Sequence, residues 1–195
     1  YPGTGGTCST TIAASASCSV VVTYAPVSTG AHSGSIDFTF NDGVTASQTS
    51  SRAIAGTGAA PANLTISDGA TYSFGSIANG GAADKSFTIN NTGGVSAASM
   101  AGSGLAAPFT FKGGSYPGTG GTCGGTLAAA GSCTVIVTFA PTSAGLQSDT
   151  MNIAYDNGVS GQTSSRDMEG TGVAPALLTI SDGPTYDFGP VVATA

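Results

Sequence analysis

The sequence predicts an all-β chain of tandem β-sandwich repeats of about 115 residues, and three observations carry that expectation. The octapeptide Tyr1-Pro-Gly-Thr-Gly-Gly-Thr-Cys8 recurs letter for letter at Tyr116–Cys123. In Cys133–Phe139, Cys133, Val135, Val137 and Phe139 share one face while Thr134, Ile136 and Thr138 share the other, the period-two pattern of a half-buried strand. Turn signals punctuate such runs: Asn41-Asp42-Gly43, Asp156-Asn157-Gly158, Asp68-Gly69 and Asp182-Gly183 all suit positive-φ turns.

The self-match persists at an offset of 115 through Cys18/Cys133, Tyr24-Ala25-Pro26 against Phe139-Ala140-Pro141, and Gly30/Gly145. After a one-residue slip near Ser47 it continues at 114 through Arg52/Arg166 and Gly56-Thr57-Gly58 against Gly170-Thr171-Gly172. The same offset joins Leu64–Gly69 to Leu178–Gly183, Tyr72 to Tyr186, and Phe74-Gly75 to Phe188-Gly189. Residues 1–58 therefore read as the C-terminal half of one repeat, 59–172 as a complete repeat, and 173–195 as the N-terminal strands of a further repeat. A unit of this length can own its core. Gly58-Ala-Ala-Pro61 and Gly172-Val-Ala-Pro175 read as linkers, short enough to favour a semi-rigid rod.

Within the complete repeat, strands are expected at Asn63–Ser67, Thr71–Phe74, Lys85–Asn90, Pro108–Lys112, Cys133–Phe139, Asp149–Tyr155 and Gln162–Gly170. Seven or so strands match an immunoglobulin-like sandwich. The expected core is Leu64, Ile66, Phe74, Phe87, Ile89, Val135, Val137, Phe139 and Ile153. The Ala-rich stretch 127–130 is too short for a stable helix and is flanked by Gly. Residues 1–58 lack counterparts of the strands at Lys85–Asn90 and Pro108–Lys112, and an open sandwich exposes apolar faces and strand edges. The expectation is a longer natural polypeptide with repeats on both sides; the second reading is strand donation from neighbouring subunits.

Composition narrows the function classes. The chain has 31 Gly, no Trp and only 7% charged residues, so its surface is neutral and hydroxyl-rich. Its four basic residues, Arg52, Lys85, Lys112 and Arg166, are too few to neutralise a phosphate backbone, so no nucleic-acid partner is expected. The net charge of −6 comes from scattered single acids. No apolar run reaches the ~18 residues of a membrane span. Each repeat carries one Cys pair at the same spacing, which predicts the disulfides Cys8–Cys18 and Cys123–Cys133 and an oxidising compartment. A zinc site would need about four ligands, and the single His32 is matched by Gln147.

The two copies also test each candidate for chemistry, because a side chain essential in every repeat should occur in both. His32 fails, as does Glu169, whose counterpart is Ala55. With no retained His or free Cys, no nucleophile–base pair can be assembled, and neither enzyme activity, cofactor nor metal is expected. Asp68/Asp182 persist, and the Asn41-Asp42/Asp156-Asn157 turns exchange the place of their acid; surface turns are the expectation, calcium between domains the rival. Arg52/Arg166 persist too, read as a surface ion pair or a bond to loop carbonyls, with a repeat-to-repeat contact as rival. Lys85 and Lys112 lie on expected strands; an isopeptide with Asn90, Asn91 and Asp84 as imaginable partners is not required by the spacing. Asn63-Leu-Thr65 and Asn90-Asn-Thr92 match the glycosylation sequon by composition, but on expected strands.

A Cys, then Leu127-Ala-Ala-Ala-Gly-Ser-Cys133, an alternating strand ending Phe139-Ala-Pro141, Gly145 four residues on, and a closing Gly170-Thr-Gly172 resemble the ASH/Hydin-like immunoglobulin-like repeats of bacterial choice-of-anchor D surface proteins. Asn91-Thr92-Gly93 after an alternating strand resembles that family's early hallmark. The resemblance spans essentially the whole chain and implies a large, modular, exported protein. The expected function is a structural repeat region of a secreted bacterial surface or extracellular filament protein, a stalk or fibre. The expected partners are neighbouring copies of the repeat or other fibre subunits. The alternative is an adhesive module binding a surface glycan or protein. A recognition loop should carry aromatics and Arg, whereas 113–125 is mainly Gly, Ser and Thr with Tyr116 alone, which favours the structural role.

Overall fold

The computed structural model describes residues 1–194, which contain ten strands and no helix. The chain divides into two compact units: Tyr1–Pro61 with Gly93–Val95, and Ala62–Thr92 with the residues from Ser96 onward.

The second unit is a sandwich of two four-stranded sheets. Strands β3 (Leu64–Ile66), β5 (Ala83–Asn91), β8 (Ser132–Phe139) and β7 (Phe109–Phe111) lie side by side in the order β3-β5-β8-β7, all antiparallel. The facing sheet has the order β4-β10-β9-β6, with β4 (Thr71–Ala78), β10 (Gly161–Val173), β9 (Gly145–Asp156) and β6 (Ala98–Ser103). Here β4 runs parallel to β10, from Asp167 opposite Thr71 to Val173 opposite Ala78, and the other pairs are antiparallel. The alternation in β8 and β5 places Val135, Val137, Phe139, Phe87 and Ile89 wholly inside, where they meet Met151, Ile153 and Met168 of the other sheet. Phe139 stacks on Phe109 at 4.7 Å and meets Phe74 at 5.6 Å; Tyr72 stands edge-on to Phe87 at 5.3 Å. Gly170 lies against the Phe139 ring so closely that a Cβ there would come within 2.5 Å of it. A side chain at that point would displace the ring.

Two sequence expectations need correction. Phe74 is half-buried, because it lies on β4 at the edge of its sheet. Strand β6 escaped the period-two reading because Ala98–Ser103 is built of small residues with one Met. Its packing reason is the opposite of an apolar side chain: a Cβ on Gly102 would come within 2.6 Å of both Tyr116 and Phe111, so the absence of one seats both rings.

The first unit contains a two-stranded antiparallel hairpin, β1 (Gly30–Phe40) with β2 (Gln48–Gly58), in register from Gly30 opposite Gly58 to Phe40 opposite Gln48. Residues 174–194 carry no strand; Leu178, Ile180, Tyr186 and Phe188 within them are exposed.

Candidate functional site

The two cysteine loops come first. Cys8 is bonded to Cys18 and Cys123 to Cys133, both with Cα atoms 4.8 Å apart; among the described residues no cysteine is free. Each loop is held by the same backbone bonds. Thr7 and Cys8 N–H donate to Ser19 O at 2.9 and 3.2 Å, and Thr122 and Cys123 N–H donate to Thr134 O at 2.9 and 3.1 Å. Val21 N–H donates to Pro2 O as Ile136 N–H does to Pro117 O. Replacing both Cys123 and Cys133 by Ser is expected to lower the stability of the complete sandwich by about 2–3 kcal/mol, the loop-closure entropy of so short a ring. Urea denaturation of both proteins under non-reducing conditions measures it. Chains with two such bonds belong to oxidising surroundings.

The residues that differ between the copies turn out to make matching contacts. Asp42 Oδ1 accepts from Val44 and Thr45 N–H at 2.9 and 2.7 Å; Asn157 Oδ1 accepts from Val159 and Ser160 N–H at 2.9 and 2.8 Å. Asn41 and Asp156 likewise each accept from the Gly N–H two residues on. The turn needs an oxygen at each place, and Asp or Asn supplies it. His32 Nε2 lies 3.1 Å from Ser28 O, and Gln147 Nε2 donates to Ser143 O at 3.3 Å, so a ring and an amide span the same gap. Neither side chain is arranged for proton transfer, and among the described residues no group of three His, Cys, Asp or Glu could hold a metal.

Arg166 corrects the expectation of a surface group. It is buried on β10, and its Nη2 donates to Ile66 O on β3 while Ser164 Oγ donates to Leu64 O at 2.8 Å. Two side chains of one sheet thus hold the backbone of a strand in the other. The Arg166 Nε has no hydrogen-bond partner among the described residues. Arg52, its counterpart, is exposed.

The lysines are engaged in ion pairs, Lys85 with Asp68 at 2.9 Å and Lys112 with Asp84 at 2.7 Å, and Lys85 also sits 4.6 Å above the Tyr72 ring. Both carboxyls are held below their ordinary value of 3.8, Asp68 by Ser67 and then Lys85, and Asp84 by Lys112 and then Thr138. A depressed carboxyl stabilises the fold above its unfolded pKa, and this is lost as pH falls through the lower folded value. The double substitution Asp68→Asn/Asp84→Asn is therefore expected to flatten the fall of the urea midpoint below about pH 4, by a modest amount because the pairs are solvent-accessible. Titrating the midpoint of both proteins checks this.

Asn91 is the polar residue buried in the sandwich. Its Nδ2 donates to Leu127 O and Ala128 O at 3.1 and 3.2 Å, and its Oδ1 accepts from Asn63 N–H. The two sequons meet here, because Asn63 Nδ2 donates to Thr92 Oγ1 at 2.9 Å. Tyr116, the aromatic of the 113–125 loop, is half-buried against Phe111 and donates to Gly124 O, and burial raises its pKa.

The first unit presents the largest contrast with its counterpart. Val22, Tyr24 and Ile54 are 50%, 50% and 39% exposed, whereas the matched Val137, Phe139 and Met168 are at 0%, 0% and 1%. Together with His32, Gly34 and Gly56 they line an apolar groove of about 310 Å³. Gly56 lies under the Tyr24 ring as Gly170 lies under Phe139, with Cβ approaches of 2.7 and 2.5 Å. The face is built as a core and left open.

No protein family matches the chain, and no curated protein does. Among solved structures it is similar to the ASH / PapD-like domain of human CEP192 (PapD-like domain 7), at 18% identity and a TM-score of 0.45 over 60% of this chain and 89% of that one. It is also similar to the VesB protease of Vibrio cholerae, at 16% identity and 0.46, over 55% of this chain and 31% of that one. A Porphyromonas gingivalis W83 protein of unknown function is similar at 10% identity and 0.42, over 78% and 70% of the two chains.

Proposed function

We propose that this chain is a structural repeat region of a large secreted bacterial surface or extracellular filament protein, acting as a semi-rigid stalk or fibre and carrying no catalytic centre. The observation that carries the reading is that what recurs between the two copies is architectural: the disulfide loop, the turn oxygens, the His32/Gln147 bridge and the glycine under the strand-end ring. Positions free to vary in chemistry vary only where the same bond survives. Selection for a repeated shape leaves that signature, whereas a repeated active site would preserve reactive side chains. The motifs that resemble the choice-of-anchor D repeats support the same assignment. The binding-module reading would use the 113–125 loop, but its Tyr116 is committed to Gly124 O and Phe111, which favours the structural role.

The test is the mass of the native polypeptide under denaturing, reducing conditions. A species many times heavier than 18.6 kDa supports an array of such repeats, and one near 18.6 kDa rejects it.

A further inference from the structure

We infer that the open face of the first unit is a docking groove for residues Leu178–Gly189 of a second copy of the chain, which enters as a strand parallel to β2. The inference deepens the fibre reading by naming the contact that would join successive copies, and it rests on the equivalence of the repeats.

The second unit supplies the template. There, β4 pairs in parallel with β10, Tyr72 opposite Met168, and its Phe74 meets Phe139 at 5.6 Å, while Ser164 and Arg166 hold Leu64 O and Ile66 O. Each acceptor side of that arrangement exists in the first unit as Ile54, Tyr24, Ser50 and Arg52. Each donor side exists in the tail as Tyr186, Phe188, Leu178 and Ile180, which make none of these contacts within their own chain and whose side chains are exposed. The occupant is thus specified residue by residue: Tyr186 opposite Ile54, Phe188 over Tyr24, and Ser50 and Arg52 donating to Leu178 O and Ile180 O.

The tail also holds the docked conformation beforehand. Asp182 and Gly183 have φ of 72° and 76°, as Asp68 and Gly69 have 72° and 78°. Ser181 donates to Asp182 as Ser67 does to Asp68, and Tyr186 meets Phe188 edge-on at 4.9 Å as Tyr72 meets Phe74 at 5.1 Å. A segment ordered in its bound shape loses less entropy on docking. The mode is strand addition, with backbone bonds for affinity and alternate side chains for register. The tail brings the counterparts of Tyr72 and Phe74 but none for Phe109, so the groove is only partly filled and reversible association is expected.

The experiment uses the full 195-residue chain. Asp167 and Thr71 are paired across β10 and β4, so Ala53 and Thr185 are the matching positions, both exposed and outside the apolar contact. An Ala53→Cys chain and a Thr185→Cys chain, mixed in equal amounts under mild oxidation, are expected to form the mixed A53C–T185C dimer well above its statistical share. Phe188→Asp in the tail, or Ile54→Asp or Arg52→Ala in the groove, should each cut that yield by about fivefold or more, the tenfold-per-1.4 kcal/mol scale making even one lost anchor visible. Because Phe188 lies outside every strand, its substitution leaves the sandwich intact, which circular dichroism verifies. Cross-linking at statistical proportions, or insensitivity to Phe188→Asp, overturns the inference. So does a predominance of A53C–A53C dimers, the product of two open faces packing on each other. A long native polypeptide with no mixed cross-link leaves the array reading standing and removes this one; a short native chain with the mixed cross-link does the reverse.

Discussion

Phe139→Ala is expected to lower the unfolding free energy of the complete sandwich by about 3–5 kcal/mol, the range for truncating a buried aromatic. The ring is fully buried, stacked on Phe109 at 4.7 Å, edged by Phe74 and seated on Gly170. Gly170 has no side chain to swing into the void, and Phe109 is pinned on β7, so little of the cavity can close. Part of the loss is transfer of apolar surface and the rest is the cavity that persists. Tyr24→Ala at the matched position of the first unit should cost only about 1 kcal/mol, since half of that ring is in water already. Urea denaturation followed by circular dichroism reads both. Equal losses at the two positions would show that Tyr24 is covered in solution, which docking of a second copy would do at high concentration and not at low.

Asn91→Leu is expected to remove about 2–4 kcal/mol, because the penalty lies in the groups left behind. The side chain is 1% exposed and ties two carbonyls of the Leu127–Ala128 turn to the N–H of Asn63. Leucine fills the volume and leaves all three unsatisfied in the interior. Asn91→Asp keeps the acceptor but sets a charge against two carbonyl oxygens, so at neutral pH it should be the more damaging of the two. Denaturant midpoints for the three proteins at one pH give the order. A surface role for Asn91 would leave both variants within a few tenths of a kcal/mol of the parent.

Alternation made the inner sheet legible. Cys133–Phe139 and Lys85–Asn90 announce β8 and β5, because every second residue is large and apolar. The β6 strand was silent for the opposite reason: Gly102 and its neighbours contribute by leaving room for Tyr116 and Phe111, and an absent side chain has no period. Met151 and Met168 were passed over as core because a lone flexible side chain carries little pattern, though both are completely buried. Arg166 shows a different limit. A charged residue reads as surface, and only the position of Ile66 O, one hundred residues away, explains why it is inside. The retained pair Arg52/Arg166 was nevertheless visible as an internal match, and the contrast in their burial is what exposes the groove as unfinished. The Asn41-Asp42/Asp156-Asn157 exchange was also visible, but the reason for it was not. Sequence shows a swapped charge where the fold sees an unchanged oxygen.

That unchanged oxygen bears on how the material ages. Asn157-Gly158 is the kind of dipeptide that deamidates, since glycine leaves the following nitrogen free to attack the side-chain amide. Direct hydrolysis to aspartate replaces Nδ2 with an oxygen and leaves Oδ1 to accept from Val159 and Ser160 as before. The first copy already runs its turn on Asp42, so the aged form of one repeat is the genetic form of the other. A long-lived extracellular chain, which no cell can resynthesise in place, would thus take this chemical wear as added negative charge with the hairpin unaltered.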